Sequence, residues 1–214
     1  MPDYFAAFLD LRGRRCLIAG GGPVAERKVL ALLECGARVT VASPAVTPAL
    51  AALAAAGRIE HRARRFRAAD VRGCALAVAA TGRERADRAV ARAARMRGVL
   101  VNAVDRPALC DLILPSVLRR GELQIAVSTG GRSPALAREI RRGLEPVFGP
   151  EYAALVARAG AERARARRAA ATAFARARAG ESAARRALRA IPPSPRPFFG
   201  VRPGSGPSRR TVRS

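Results

Sequence analysis

Three residues near the N-terminus, Gly20, Gly22 and Ala25, stand in the spacing G-x-G-x-x-A. A short apolar run, Cys16-Leu-Ile-Ala19, precedes them, and a helix-forming stretch, Val24-Ala-Glu-Arg-Lys28, follows. That context gives the pattern chemical meaning. Gly20 permits a tight strand-to-helix turn. Gly22, without a Cβ, lets a pyrophosphate approach the backbone, and Ala25 lets the new helix pack close to the strand. The helix start then presents amides and the positive end of its dipole to an anion. The expected cradle for a dinucleotide is the turn Gly20-Gly21-Gly22, with Ala25 behind it.

Further candidates fall at the ends of later apolar runs. Ser43-Pro44-Ala45 closes the second run, where an acidic residue commonly holds the adenosine ribose. Ser43 could hydrogen-bond a ribose, or simply begin a turn, and its lack of charge leaves NAD and NADP both open. Nearby Arg62, Arg64, Arg65 and Arg67 could attract a 2′-phosphate. Thr81 follows Ala79-Ala80 and could contact the cofactor or cap the next helix. Asn102 and Asp105 close the run before Pro107. Asn102 is expected to be cofactor-binding. A carboxylate at a strand's carboxyl end suits a general acid or base, so Asp105 is the catalytic candidate, with an Asx-type turn as the alternative. Asp111 has no comparable positional argument. Ser128-Thr129-Gly130-Gly131-Arg132-Ser133 opens a helix and could bind substrate carboxylates or phosphates, while Ser133 caps it. His61 is the only histidine. With no G-x-S-x-G and no second histidine, it reads as structural or surface-exposed.

Alternating elements must position these residues. Strands are expected at 16–19, 38–42, 59–62, 74–80 and 99–104, with helices at 24–33, 48–56 and 84–97. This order predicts an α/β fold, a doubly wound parallel sheet of the Rossmann type, over residues 1–112. The rhythm then changes. Apolar runs at 112–118 and 123–129, joined through Gly121, predict a β-hairpin, with Pro115 marking an edge or bend. A helix over 134–144 completes the region 113–150. Residues 151–190 are Ala- and Arg-rich and predict a helical segment with little apolar surface. Residues 191–214 are rich in Pro, Gly, Ser and Arg and predict a disordered basic tail.

Composition narrows the function classes. The chain has 214 residues and a net charge of +24. Residues 151–214 carry 15 Arg against three Glu, half of that charge, and Lys28 is the only lysine. Aromatics are 4% with no Trp, which leaves few platforms for stacking bases. Nucleic acid is therefore not the expected partner. No apolar run approaches the ~18 residues of a membrane helix. Four scattered cysteines with no C-x-x-C read as reduced thiols of a cytoplasmic protein. A non-catalytic nucleotide-sensing module and a basic nucleic-acid-binding protein are the alternatives to an enzyme.

The landmarks Phe8-Leu-Asp-Leu-Arg-Gly13, the glycine-rich stretch 16–28, Ala79-Ala-Thr81, Val101-Asn-Ala-Val-Asp105, Leu114-Pro-Ser116 and Ala126-Val-Ser-Thr-Gly-Gly-Arg-Ser-Pro-Ala-Leu-Ala137 keep one order and spacing. Together they resemble the precorrin-2 dehydrogenase/sirohydrochlorin ferrochelatase family, the N-terminal module of siroheme synthase. The resemblance covers about residues 5–150. It implies NAD-dependent oxidation of precorrin-2 to sirohydrochlorin, with possible further insertion of Fe²⁺ as a substrate to give siroheme. It maps the family's key aspartate onto Asp105, cofactor contacts onto Pro23, Val24, Ser43, Pro44 and Ala45, and a homodimer interface onto the hairpin and following helix. The implied substrate, a tetrapyrrole with eight carboxylates, suits an arginine-rich cleft. No metal-ligand set is evident, and the methyltransferase half of the fused siroheme synthases is absent from these 214 residues.

Overall fold

The computed structural model describes residues 4–169, 172, 178, 180–182 and 184–186. The expected tail, 191–214, lies outside the described residues. Contacts divide the chain into two compact units, Met1–Leu114 and Pro115–Ser214.

The first unit is built on five parallel strands, β1 (Arg15–Ala19), β2 (Arg38–Ala42), β3 (Glu60–Arg62), β4 (Cys74–Ala79) and β5 (Leu100–Ala103), in the order β3-β2-β1-β4-β5. The strands alternate with helices α1 (Pro23–Glu34), α2 (Pro48–Ala55) and α3 (Glu84–Arg95). The chain winds outward from β1 in both directions, so the loops after β1 and β4 diverge at the carboxyl edge of the sheet. That divergence is where this architecture binds ligands.

Side chains alternate along each strand and fill two cores. Cys16 and Ile18 of β1 pack with Ala25, Val29 and Leu32 of α1 and Leu50 of α2. Leu17 and Ala19 turn the other way, onto Val90, Ala91 and Ala94 of α3. The spacing of Ala25, Val29 and Leu32 is that of one helical face, and all three are buried. The near-continuous apolar strands are thus covered on both faces, as parallel sheets require. α1 stops at Gly36, whose φ of 71° is open to glycine, and the amides of Gly36 and Ala37 return to the carbonyls of Leu33 and Leu32.

The second unit contains an antiparallel pair, β6 (Ser116–Arg120) and β7 (Leu123–Val127), then α4 (Pro134–Leu144) and α5 (Glu151–Ala169). The hairpin is tighter than the apolar runs predict. Residues 112–115 are not strand, because Pro115 has no amide to give the ladder, and pairing starts at Ser116 opposite Val127. Gly121, at φ 58°, makes the turn. Ser133 caps α4, accepting from the Leu136 amide at 3.2 Å. α5 buries only Leu155, in keeping with its sparse apolar residues.

Candidate functional site: a cleft at the carboxyl edge of the sheet

The loops leaving β1, β2, β4 and β5 enclose an open cleft of about 1470 Å³ within the first unit. Its floor is the glycine turn. Gly20 has a φ of 123° and lies against the backbone after β4, where a Cβ would collide with the Ala80 carbonyl. A Cβ on Gly21 would strike the Ala45 carbonyl, and the Gly21 carbonyl accepts from the Thr47 amide at 3.0 Å. These two glycines join the turn to its neighbouring loops. Gly22 differs. Its φ is −83°, and a Cβ there would meet nothing within 4 Å. Its openness faces the cleft, as a position needed for ligand approach would. No side chain caps the start of α1, so amides of its first turn are left for an anion. The residues present therefore fit a dinucleotide pyrophosphate.

Of the expected cofactor residues, Gly20, Gly21, Gly22, Pro23, Val24, Ser43, Pro44, Ala45 and Thr81 all line the cleft, together with Asp105. Ala25 does not. It is a fully buried residue of α1 and serves close packing of helix on sheet. Asn102 does not line the cleft either. Its amide nitrogen donates to the Leu112 carbonyl at 3.1 Å, tying β5 to the chain returning past Cys110. The expectation of a cofactor contact at Asn102 is corrected accordingly. The loop 128–133 belongs to the second unit and is internally bonded. Ser128 accepts from the Gly130 amide at 3.1 Å, and Thr129 donates to the Ser133 carbonyl at 2.9 Å.

Asp105 is the only non-glycine residue among those described with positive φ, at 57°. It is exposed at the tip of β5 and makes no hydrogen bond or ion pair with another described residue. Lys28, half-buried on α1, is close enough to feel its charge. Burial is the main cause lowering the lysine's pKa from its ordinary 10.5; Arg27 adds to it and Asp105 opposes it.

The other carboxylate in the cleft wall, Asp87, escaped the sequence reading. It is 1% exposed. It accepts from the Thr81 hydroxyl at 2.7 Å and the Thr81 amide at 3.2 Å, and pairs with Arg106 at 3.2 Å. The Thr81 hydroxyl also accepts from the Arg83 amide at 3.1 Å, so it both faces the cleft and shapes the loop before α3. Only the position of Asp87, one turn inside α3 on the face of Val90, Ala91 and Ala94, could have betrayed it.

Asp70 is the second buried acid, 2% exposed. It sits in a short 3-10 turn after β3 and takes Arg62 and Arg64, each at 2.7 Å. The Arg64 guanidinium holds its carboxyl well below the usual range. The Arg67 amide and Arg62 add to this, and burial opposes it. Arg62 also pairs with Glu60 at 2.8 Å. Two of the four arginines expected near a 2′-phosphate are thereby engaged, whereas Arg65 lines the cleft.

The remaining candidates are structural. Nε2 of His61 lies 2.9 Å from the Ser43 carbonyl, an arrangement that needs the proton on Nε2. Asp111 accepts from Arg95 at 2.9 Å and the Val101 amide at 3.2 Å, joining α3 to β5. All four cysteines are free thiols, and burial pushes Cys16 up to about 11. Among the described residues no group of three His, Cys, Asp or Glu could hold a metal, and no helix is long and apolar enough to cross a membrane.

Known proteins are similar to this chain. A family model described as "Sirohaem biosynthesis protein central" matches residues 120–145. Siroheme synthase of Thioalkalivibrio sulfidiphilus is 48% identical over 155 residues, covering 72% of this chain and 32% of the relative. That of Methylobacillus flagellatus is 46% identical over 150 residues, 70% of this chain and 32% of the relative. Siroheme synthase 1 of Aeromonas salmonicida is 44% identical over 163 residues, 76% and 35%. The chain thus spans about a third of the length of these curated relatives. Among solved structures, SirC, a precorrin-2 dehydrogenase, superposes with a TM-score of 0.69 at 23% identity, covering 87% of this chain and 98% of that one; the likeness is one of fold. The model described as "Putative NAD(P)-binding" matches residues 7–116, just over half the chain and the whole cleft, and the protein belongs to that family.

Proposed function

We propose that this protein oxidises precorrin-2 to sirohydrochlorin with NAD⁺. The observation that carries the reading is one uncommitted carboxylate, Asp105, at the mouth of a cleft whose glycine floor fits a dinucleotide. The relatives named for siroheme synthesis, and the fold shared with a precorrin-2 dehydrogenase, support the choice of substrate. The bound nicotinamide cofactor supplies the hydride acceptor. The chain's own residues do the rest. The open start of α1 binds phosphate. The loops at Ala45 and Ala80, held against Gly21 and Gly20, fix the shape of the floor. Asp87 keeps Thr81 in place. Asp105 takes the proton that the macrocycle loses along with hydride.

The loop 128–133 is proposed to contact substrate carboxylates, and the region 113–150 to form a homodimer interface. Insertion of Fe²⁺ would use the macrocycle nitrogens as ligands, with Asp105 accepting their protons, since one carboxylate does not make a tight iron site. Four free thiols suit a reducing cytoplasm. The test is anaerobic mixing of the protein, precorrin-2 and NAD⁺. Appearance of the sirohydrochlorin spectrum is expected; unchanged precorrin-2 in the presence of bound cofactor overturns the reading.

A further inference from the structure

The dehydrogenase reading leaves open what holds Asp105 in place, and the inference here rests on that reading. We infer that Asp87 and Arg106 form a positioning pair in the cleft wall, which sets the Asp105 carboxylate for proton transfer through the backbone that Arg106 shares with it.

Asp105 is the third residue of the turn Ala103-Val104-Asp105-Arg106, which the Arg106 amide closes onto the Ala103 carbonyl at 3.2 Å. Its φ of 57° lies in a region that a side chain keeps only where the surrounding structure dictates it. The Asp105 carboxylate has no bond of its own to do this, so the restraint comes from its neighbours. Before it, the Val104 amide donates to the Ala79 carbonyl at 2.9 Å, at the end of β4. Beneath the turn, Sγ of Cys110 lies 3.2 Å from the Ala103 carbonyl. After it, the Arg106 side chain reaches back to α3. Its Nε donates to Oδ2 of Asp87 at 3.2 Å, and Nη1 pairs with Glu84 at 3.4 Å.

Asp87 is the anchor of this clamp. It is 1% exposed, and its two oxygens serve two loops. Oδ1 accepts from the Thr81 hydroxyl at 2.7 Å and the Thr81 amide at 3.2 Å, while Oδ2 accepts from Arg106. One buried carboxylate thus joins the loop leaving β4 to the turn leaving β5, and Thr81, Asp87, Asp105 and Arg106 all line the same cleft. Glu84 is exposed and shared with Arg88 at 2.7 Å, so the contact with Asp87 is the one that fixes Arg106. A buried ion pair adds little net stability but does define a geometry. Geometry is what proton transfer needs here, since a misplacement of about 1 Å can cost about 100-fold in rate.

The test is steady-state oxidation of precorrin-2, beside calorimetric titration with NAD⁺, for the full chain as wild type, Arg106→Met, Arg106→Lys, Arg88→Met and the double variant Asp87→Asn/Arg106→Met. Methionine keeps the apolar stem of Arg106 and removes its donors. Asp87 retains both Thr81 donors in that variant, and the double variant removes the buried charge altogether should the single one not fold. Arg88 is exposed and outside the cleft lining, so its loss controls for charge. In Arg106→Met and the double variant, kcat should fall about tenfold to 100-fold. KM for precorrin-2 and the Kd of NAD⁺ should stay within about twofold of wild type. Arg106→Lys, which keeps a donor for Asp87, should turn over faster than Arg106→Met, and Arg88→Met should match wild type. An unchanged kcat in Arg106→Met overturns the inference alone. So does a raised KM at unchanged kcat, which would make Arg106 a ligand of the substrate carboxylates. A lysine variant no faster than the methionine one, or loss of the folded circular dichroism spectrum in both methionine variants, overturns it as well. Wild type that binds NAD⁺ and leaves precorrin-2 intact overturns the dehydrogenase reading, and the inference with it.

Discussion

Asp105 occupies a backbone region that side chains seldom adopt, at φ 57°. Asp and Asn tolerate it far better than other non-glycine residues. This makes Asp105→Asn a clean substitution, since the backbone, the volume and the cleft are all retained. The amide cannot accept a proton at neutral pH. Turnover of precorrin-2 should fall by roughly 10²–10⁴-fold, the usual contribution of a general acid–base group, while cofactor affinity stays near that of wild type. Single-turnover rates at saturating NAD⁺, measured beside a cofactor titration, check both halves. Equal rates would return Asp105 to the role of turn-former before Pro107. Gly22 makes the complementary case. Its Cβ position is empty and its φ is ordinary, so Gly22→Asp should fold, but the new carboxylate would stand where phosphate must approach. Loss of NAD⁺ binding with an unchanged circular dichroism spectrum is the expected result; unaltered affinity would remove the glycine turn as the phosphate site.

At the scale of elements, two buried acids hold the cleft walls. Asp70 binds the end of β3 to the turn that follows, and its carboxyl is held below its ordinary value of 3.8, first by Arg64. A lowered folded pKa means that the ionised form is the one that stabilises. Its contribution is complete above the unfolded pKa and is lost as pH falls from there through the folded value. Melting temperature should therefore drop on acidification below about pH 4. Asp70→Asn should melt lower at neutral pH and show a shallower acid slope. Identical slopes would deny Asp70 its part. These acids also mark where the sequence stops being informative. The strands, the three helices and the glycine turn were legible because their signals are local: apolar runs, helical spacing, glycines at fixed offsets. The choice among Arg62, Arg64 and Arg65 was not, because it depends on Asp70 returning beneath β3. Asn102 misled for a related reason. A strand-end position does not say which face a side chain takes, and the return of residues 110–112 gave it a partner inside the fold. The hairpin boundary followed from one missing amide at Pro115, whose meaning depended on knowing where pairing begins.

Across the whole molecule, the ordered cleft lies within Met1–Leu114, and much of the positive charge lies far along the chain. Residues 191–214 are rich in Pro, Gly, Ser and Arg. Their deletion should leave kcat/KM within about twofold and binding of NAD⁺ unchanged, as steady-state assays of the shortened chain can show; a tenfold loss would give the tail a share in the site. The central claim is that this chain removes hydride and a proton from a tetrapyrrole. The most direct measurement is a single anaerobic turnover with limiting precorrin-2 and excess NAD⁺, following NADH and sirohydrochlorin absorbance together. The account predicts that the two rise at one common rate and end in equal amounts. Sirohydrochlorin formed without NADH, or bound NAD⁺ that stays oxidised beside intact precorrin-2, would contradict it.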